Sequence, residues 1–215
     1  MSDIRDRVPR ALSRNSLRAG AAALARRDAD LARVLKRVGE LSVWGRRPGF
    51  STLVCIILEQ QVSQRAARTL YGKLRVELGD VTPATVHAHG ITGLKNLGLT
   101  RQKAGYCHGL AGRMLDGALD LTAVARAQDA EGRAMLLAVP GLGNWSVDIY
   151  YLMALRRPDV WPRGDLALAA ALREVKGLRA LPSAQQQEDL AATWAPWRSV
   201  AARILWSHYL VRRRS

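Results

Sequence analysis

Helical spacing of apolar residues runs through almost the whole chain and restricts the fold more than any other feature of the sequence. Ala, Leu and Arg recur at intervals typical of helices, and cap residues with Gly or Pro stops separate the segments. Strand patterns are nearly absent, and no internal repeat is evident. The sequence therefore predicts an all-α protein.

Cap residues give the predicted helix boundaries. Ser51, Ser63, Thr100, Asp165 and Ser183 each precede an apolar helical pattern. Residues 1–15 contain several arginines and few apolar residues, and we expect a loose arm there. The predicted helices are 20–44, 52–59, 64–78, two short ones from Thr82 and Thr92, a longer one from Thr100, then 131–137, 144–156, 166–175, 184–194 and 197–212.

The chain is strongly basic, with 33 Lys and Arg against 18 Asp and Glu and a net charge of +15. Such a charge favours a polyanionic partner, and nucleic acid fits best because phosphate contacts release counterions. The alternative is a solvated basic surface without a specific partner. No apolar run of about 18 residues and no signal-peptide pattern occur. We expect a cytoplasmic, nucleoid-associated monomer that does not bind membranes.

Cysteine and histidine usage restricts the cofactors. Cys55 and Cys107 are the two cysteines of the chain, too few for a disulfide framework or for an iron-sulfur cluster with four thiolate ligands. The four histidines have no metal-ligand spacing. We therefore expect reduced core thiols and no catalytic metal.

A Gly-rich turn, Pro140-Gly141-Leu142-Gly143, precedes the predicted helix from Asn144. Glycine permits positive φ values and close approach to the backbone, and the first amides of a helix have no partner within it. Such a turn can bind a phosphate group. The same residues could equally form an ordinary connection between two helices.

Asp165 follows Trp161-Pro162-Arg163-Gly164 and precedes an apolar helical segment. Asp is a favourable N-cap, so the local pattern alone predicts a structural role for it.

Five segments together resemble the helix-hairpin-helix (HhH-GPD) DNA glycosylase superfamily, and within it the 3-methyladenine DNA glycosylase II group. They are 57–63 with Ala66-Ala67, 97–104, 139–146, 161–165 and 194–199, in the order of the family. The resemblance implies two helical subdomains with the active-site cleft between them. One comprises residues 1–49 and 165–215, and the other, residues 50–164, contains the helix-hairpin-helix at about 131–156. We expect a minimal form without the N-terminal β domain of some relatives.

The resemblance gives Asp165 the catalytic role. An ionised carboxylate stabilises the oxocarbenium-like sugar that forms when the bond between base and deoxyribose breaks. An alkylated purine that already carries positive charge leaves without a second acid. Lyases of the superfamily have a lysine nucleophile at the position of Trp145, so this chain has no amine there. These features predict a monofunctional glycosylase for 3-methyladenine and related lesions, which leaves an abasic site.

The resemblance also implies contacts to DNA that contains damaged bases. We expect Trp145, Trp197 and Tyr150 to line the pocket of an everted base, and Gln61 with Gln60 to form the wedge that fills the gap. Core aromatic residues and a polar linker are the alternatives. The remaining predicted DNA contacts are Gly141, Gly143, Asn144, Thr100, Arg101, Lys103, Arg198 and Ser199.

Three points stay open from the sequence. Carbonyls of Leu137, Val139 and Leu142 could hold a structural Na⁺ or K⁺, and we expect no other cofactor. Lys103 could be a plain surface charge or a charge at a helix cap. The alternative functions are a non-catalytic module that binds damaged or bent DNA, and a glycosylase, with or without lyase activity, for other lesions.

Overall fold

The structure is a computed structural model that describes residues 11–42 and 45–213. Within these residues it contains twelve helices and no strand, which confirms the predicted all-α class. Most of the predicted N-terminal arm and Trp44 lie outside the described residues.

The helices follow one another through short connections. The first six are α1 Arg14–Arg27, α2 Ala29–Val38, α3 Phe50–Glu59, α4 Gln64–Leu78, α5 Pro83–Asn96 and α6 Arg101–Leu115. The others are α7 Leu121–Arg126, α8 Asp129–Leu137, α9 Asn144–Met153, α10 Leu166–Val175, α11 Ala184–Ala192 and α12 Arg198–Arg212. No helix in the described part of the chain is both long enough and apolar enough to cross a membrane.

Two compact units make up the chain. The terminal unit comprises Met1–Gly45 and Tyr151–Ser215, and the central unit comprises Arg46–Tyr150. In the terminal unit, α12 packs against α1, α2 and α10. In the central unit, α3 packs against α4 and α6, and α5 packs against α6.

The second boundary lies inside α9, between Tyr150 and Tyr151, whereas the predicted domains divide at 164/165. Hydrogen bonds explain the difference, because they attach the segment after α9 to the terminal unit. The Leu12 amide donates to the Arg156 carbonyl at 2.7 Å, and the Ser199 amide donates to the Pro158 carbonyl at 3.0 Å.

The single helix predicted over 20–44 is wrong, since Asp28 separates α1 from α2. Asp28 has an extended backbone, φ −137° and ψ 104°, and its side chain accepts from the amides of Asp30 and Leu31. An extended residue that caps the next helix ends the preceding one.

Other boundaries differ less. Ser51 does not cap α3, which begins at Phe50 after Gly49. The two short helices predicted from Thr82 and Thr92 form α5, which is kinked at Gly90 (φ 71°). The sequence did not predict α7.

Candidate active site

A tight turn places Asp165 at the start of α10. The Asp165 amide donates to the Pro162 carbonyl at 3.2 Å, and Gly164 within the turn has φ +73°. A turn of this kind favours Gly at its third position because other L-residues rarely adopt positive φ. Oδ1 of Asp165 then accepts from the Leu168 amide at 2.9 Å, as an N-cap. The predicted cap role is confirmed.

Trp206 holds the same carboxylate from α12. Its indole Nε1 donates to Asp165 Oδ1 at 3.2 Å. Asp165 is 9% exposed and Trp206 is 8% exposed, so both residues are nearly buried. The sequence gives no sign of this contact, because the contact depends on how α10 packs on α12.

The segment that leads to this turn is attached to the start of α12. Ser199 Oγ accepts from the Val160 amide at 3.0 Å and donates to the Val160 carbonyl at 3.2 Å. Ser199 is fully buried, and its predicted role as a DNA contact stays a prediction. The Arg198 guanidinium makes two hydrogen bonds to the Asp159 carboxylate, Nε to Oδ1 at 2.7 Å and Nη2 to Oδ2 at 2.8 Å. Both residues therefore position the segment before Asp165.

The Gly-rich turn, which we call the hairpin (140–143), connects α8 to α9. The Leu142 amide donates to the Val139 carbonyl at 3.1 Å, and Gly141 has φ +92°. A Cβ atom at Gly141 would lie 2.3 Å from Cγ of Tyr106. Gly143 and Asn144, where α9 begins, are exposed. An exposed turn at a helix N-terminus is suited to a phosphate group, and a phosphate at these residues stays a prediction.

Lys103, a predicted phosphate contact, is half-buried, and a contact with DNA stays a prediction. Its Nζ donates to the carbonyls of Leu58 at 2.7 Å and Gln60 at 2.8 Å. Burial lowers the pKa of the Lys103 ammonium. The ammonium thus caps the C-terminus of α3, where unpaired carbonyls favour positive charge. Thr100 and Arg101 at the start of α6 are exposed.

The two wedge candidates have different environments. Gln60 is half-buried, and its Nε2 donates to the Gly141 carbonyl at 2.8 Å and to Ser146 Oγ at 2.9 Å. These two hydrogen bonds favour Gln61 over Gln60 as the wedge, and the wedge role itself stays a prediction. Gln61 is exposed, with φ 57°, and remains the candidate.

The three aromatic residues predicted to line the base pocket differ in their exposure. Tyr150 has no exposed surface, and its hydroxyl accepts from the Gly49 amide at 3.1 Å, as a core residue would; its role as a pocket wall stays a prediction. Trp145 on α9 and Trp197 before α12 are half-buried, and each lies in a different unit. The indole of Trp197 packs against Gly20, where a Cβ would lie 2.8 Å from its Cε3.

We searched the described residues for groups that could bind a metal ion and for reactive cysteines. Those residues contain no cluster of three or more His, Cys, Asp or Glu side chains that could hold a metal ion. Three residues, Leu137, Val139 and Leu142, form the predicted monovalent-cation site. The Val139 carbonyl accepts one amide hydrogen bond, Leu137 is exposed and Leu142 is buried, and cation binding there stays a prediction.

Burial raises the pKa of Cys107 to about 12 and that of Cys55 to about 11. Both thiols are therefore protonated at neutral pH and unreactive as nucleophiles.

The chain is similar to known DNA repair proteins. The chain matches the model of the HhH-GPD superfamily base excision DNA repair proteins over residues 54–196, and it belongs to that superfamily. A probable bifunctional transcriptional activator/DNA repair enzyme AlkA of Mycobacterium tuberculosis is 32% identical over 162 residues, which cover 70% of this chain. The match spans 32% of the length of that protein.

Two solved structures have the same fold. The 3-methyladenine DNA glycosylase Mag1 of Schizosaccharomyces pombe, in complex with abasic DNA, gives a TM-score of 0.80 at 21% identity, over 87% of this chain and 95% of that one. The 8-oxoguanine glycosylase/lyase of Clostridium acetobutylicum, in complex with DNA, gives 0.78 at 16% identity, over 92% and 70%.

Proposed function

We propose that this member of the HhH-GPD superfamily is a DNA glycosylase that excises alkylated purines, 3-methyladenine above all, from double-stranded DNA. It hydrolyses the bond between the base and deoxyribose and leaves an abasic site. The named relatives of M. tuberculosis and S. pombe support the DNA repair activity and the alkylated substrate.

The observation that carries the proposal is the fixed carboxylate of Asp165. The Leu168 amide and the Trp206 indole both donate to Oδ1, so the side chain is oriented before any substrate binds. A preorganised negative charge stabilises positive charge that develops on the sugar in the transition state. The same carboxylate can orient the attacking water.

The proposed substrate class is one that a single carboxylate, that of Asp165, can process without a second acidic group. A neutral base needs protonation to leave, but a base alkylated on a ring nitrogen carries positive charge already. One carboxylate is then sufficient. The face of an indole attracts a cationic base with about 0.5–2 kcal/mol, and Trp145 and Trp197 stay predicted pocket residues.

Trp145 supports a monofunctional mechanism, because the resemblance places the lysine of the lyases at this position. A lyase forms a Schiff base with an amine, and an indole at the lysine position cannot do so. The glycosylase/lyase of C. acetobutylicum has the same fold at 16% identity, and this likeness of fold is no evidence for a lyase activity of this chain.

Asp165→Asn tests the proposal. Asn caps a helix as well as Asp does, and its Oδ1 still accepts from Leu168 and Trp206, so the variant removes the charge and keeps the local structure. We expect wild-type binding to DNA and a single-turnover rate of 3-methyladenine release lower by about 10²–10³-fold. Asp189→Asn is the matched control, because Asp189 is exposed on α11 and should keep the wild-type rate.

Two results would contradict the proposal in different ways. Binding of alkylated DNA by the wild type without release would favour the alternative function, a non-catalytic module. Equal release rates for Asp165→Asn and the wild type would exclude Asp165 as the catalytic group.

A monomeric state and a location in the cytoplasm with the nucleoid remain predictions.

A further inference from the structure

Three segments of the central unit meet at Gln60, which follows α3. The Gln60 side chain crosses to the hairpin and donates to the Gly141 carbonyl at 2.8 Å and to Ser146 Oγ at 2.9 Å. The two partners are 81 and 86 residues away in the sequence. Gln60 therefore ties the link between α3 and α4 to the hairpin and to the first turn of α9.

Lys103 on α6 binds the main chain of the same residue. Its ammonium donates to the Gln60 carbonyl at 2.8 Å and to the Leu58 carbonyl at 2.7 Å. Three residues further along α6, the Tyr106 ring lies directly against Gly141. The link and the hairpin are thus each in contact with α6 as well as with each other.

Gln61, the next residue, has an unusual backbone conformation. Its φ of 57° lies in the left-handed region, which costs a non-glycine residue about 1–2 kcal/mol. Such a conformation persists where the surroundings determine it. The hydrogen bonds of Gln60, on both its side chain and its carbonyl, are adjacent and supply that restraint.

We propose that Gln60 is a positioning residue that fixes the wedge candidate Gln61 relative to the hairpin. The side chain that enters the duplex and the turn that contacts a backbone phosphate then act on DNA as one rigid body. This inference rests on the proposed function, because it assumes that Gln61 fills the gap left by an everted nucleotide.

Gln60→Glu tests the coupling with almost no change in size. A carboxylate cannot donate, so its oxygens face the Gly141 carbonyl without a hydrogen bond, although Ser146 can still donate to it. Gln60→Met, which is uncharged and of similar length, gives the same comparison if the Glu variant does not fold. Gln64→Ala, at an exposed position on α4, is the matched control.

The probe is a duplex with one tetrahydrofuran abasic analogue and 2-aminopurine opposite to it. Fluorescence of the 2-aminopurine reports insertion into the gap, and affinity is measured against the same duplex without the analogue. For both Gln60 variants we expect the preference for the abasic duplex to fall about tenfold, as for Gln61→Ala. Affinity for undamaged DNA should be unchanged in Gln60→Met, whereas the added negative charge of Gln60→Glu weakens binding to both duplexes alike. Gln64→Ala should keep the wild-type preference.

The double variant separates positioning from general destabilisation. If Gln60 acts through Gln61, the variant with both substitutions loses no more preference than Gln61→Ala alone. Additive losses, or an equal fall in the affinity of Gln60→Met for undamaged DNA, would overturn the proposal. The assay involves no base release, so failure of the proposed function would appear in the release experiment and not here.

Discussion

Gly164 allows the turn before Asp165 to form, and substitution there tests how much catalysis depends on that turn. Its φ is +73° and a Cβ would meet no atom within 4 Å, so Gly164→Ala should cost only the backbone strain, about 1 kcal/mol. We expect slower base release by Gly164→Ala with unchanged DNA binding, measured under single turnover. Gly164→Asn should be less affected, because Asn tolerates the left-handed region. An alanine variant as fast as the wild type would contradict this role of the turn.

Gly141 combines a positive φ with a close neighbour, so its substitution should be more costly. A Cβ would lie 2.3 Å from the Tyr106 ring, and either the ring or the hairpin must move. We expect Gly141→Ala to lower the free energy of unfolding by about 2–4 kcal/mol, measured by urea denaturation. Gly143→Ala is the control, since nothing lies within 4 Å of that position. Equal stability of the two variants would contradict the packing described for Tyr106.

Individual residues were predictable from the sequence where their role is local. The cap at Asp165 and the glycines of the hairpin belong to this kind, because caps and turns involve residues a few positions apart. Trp206, Tyr106 and the buried Ser199 were not predictable, since their contacts join residues 35 or more positions apart. The aromatic and polar patterns alone could not separate pocket residues from core residues.

At the scale of helices, Asp28 connects three elements of the terminal unit. It caps α2, and its carboxylate accepts from Lys176 Nζ at 2.7 Å and from Trp194 Nε1 at 2.8 Å. Burial acts to raise the pKa of Asp28, but hydrogen bonds from Lys176 and Trp194 outweigh burial and hold the pKa below its ordinary value of 3.8. The folded state therefore binds this proton less tightly than the unfolded state does.

The sign of the resulting pH dependence follows from that lowered pKa. Asp28 contributes stability above about pH 4, and the contribution is lost as the pH falls below that value. Asp28→Asn should lower the free energy of unfolding by about 1–3 kcal/mol at pH 7 and flatten its decline at acid pH. Urea denaturation from pH 3 to 7 measures both effects. Parallel curves for wild type and variant would contradict the assignment, and Asp30→Asn should have the smaller effect.

Helix boundaries were predictable to the extent that a helix is terminated locally. The bounds of α4 and α10 follow from their caps, Ser63 and Asp165. The division between α1 and α2 was missed because Asp28 lies in an otherwise continuous helical pattern. Its partners, Lys176 and Trp194, are more than 140 residues away in the sequence.

At the scale of the molecule, the net charge of +15 favoured nucleic acid but could not distinguish an enzyme from a binding module. The order of motifs along the chain predicted the superfamily, which the match over residues 54–196 confirms. The limits of the two units were less predictable, because residues 151–164 follow the helix-hairpin-helix in sequence but belong to the terminal unit.

The most direct test of the proposed activity counts products of the wild-type protein on a duplex with a single 3-methyladenine. Free base is measured by mass spectrometry, abasic sites by an aldehyde-reactive probe, and strand breaks by denaturing electrophoresis without alkali. We expect one free base for each abasic site and no strand breaks. Tight binding without free base, or strand breaks in proportion to the base released, would contradict a monofunctional alkylpurine glycosylase.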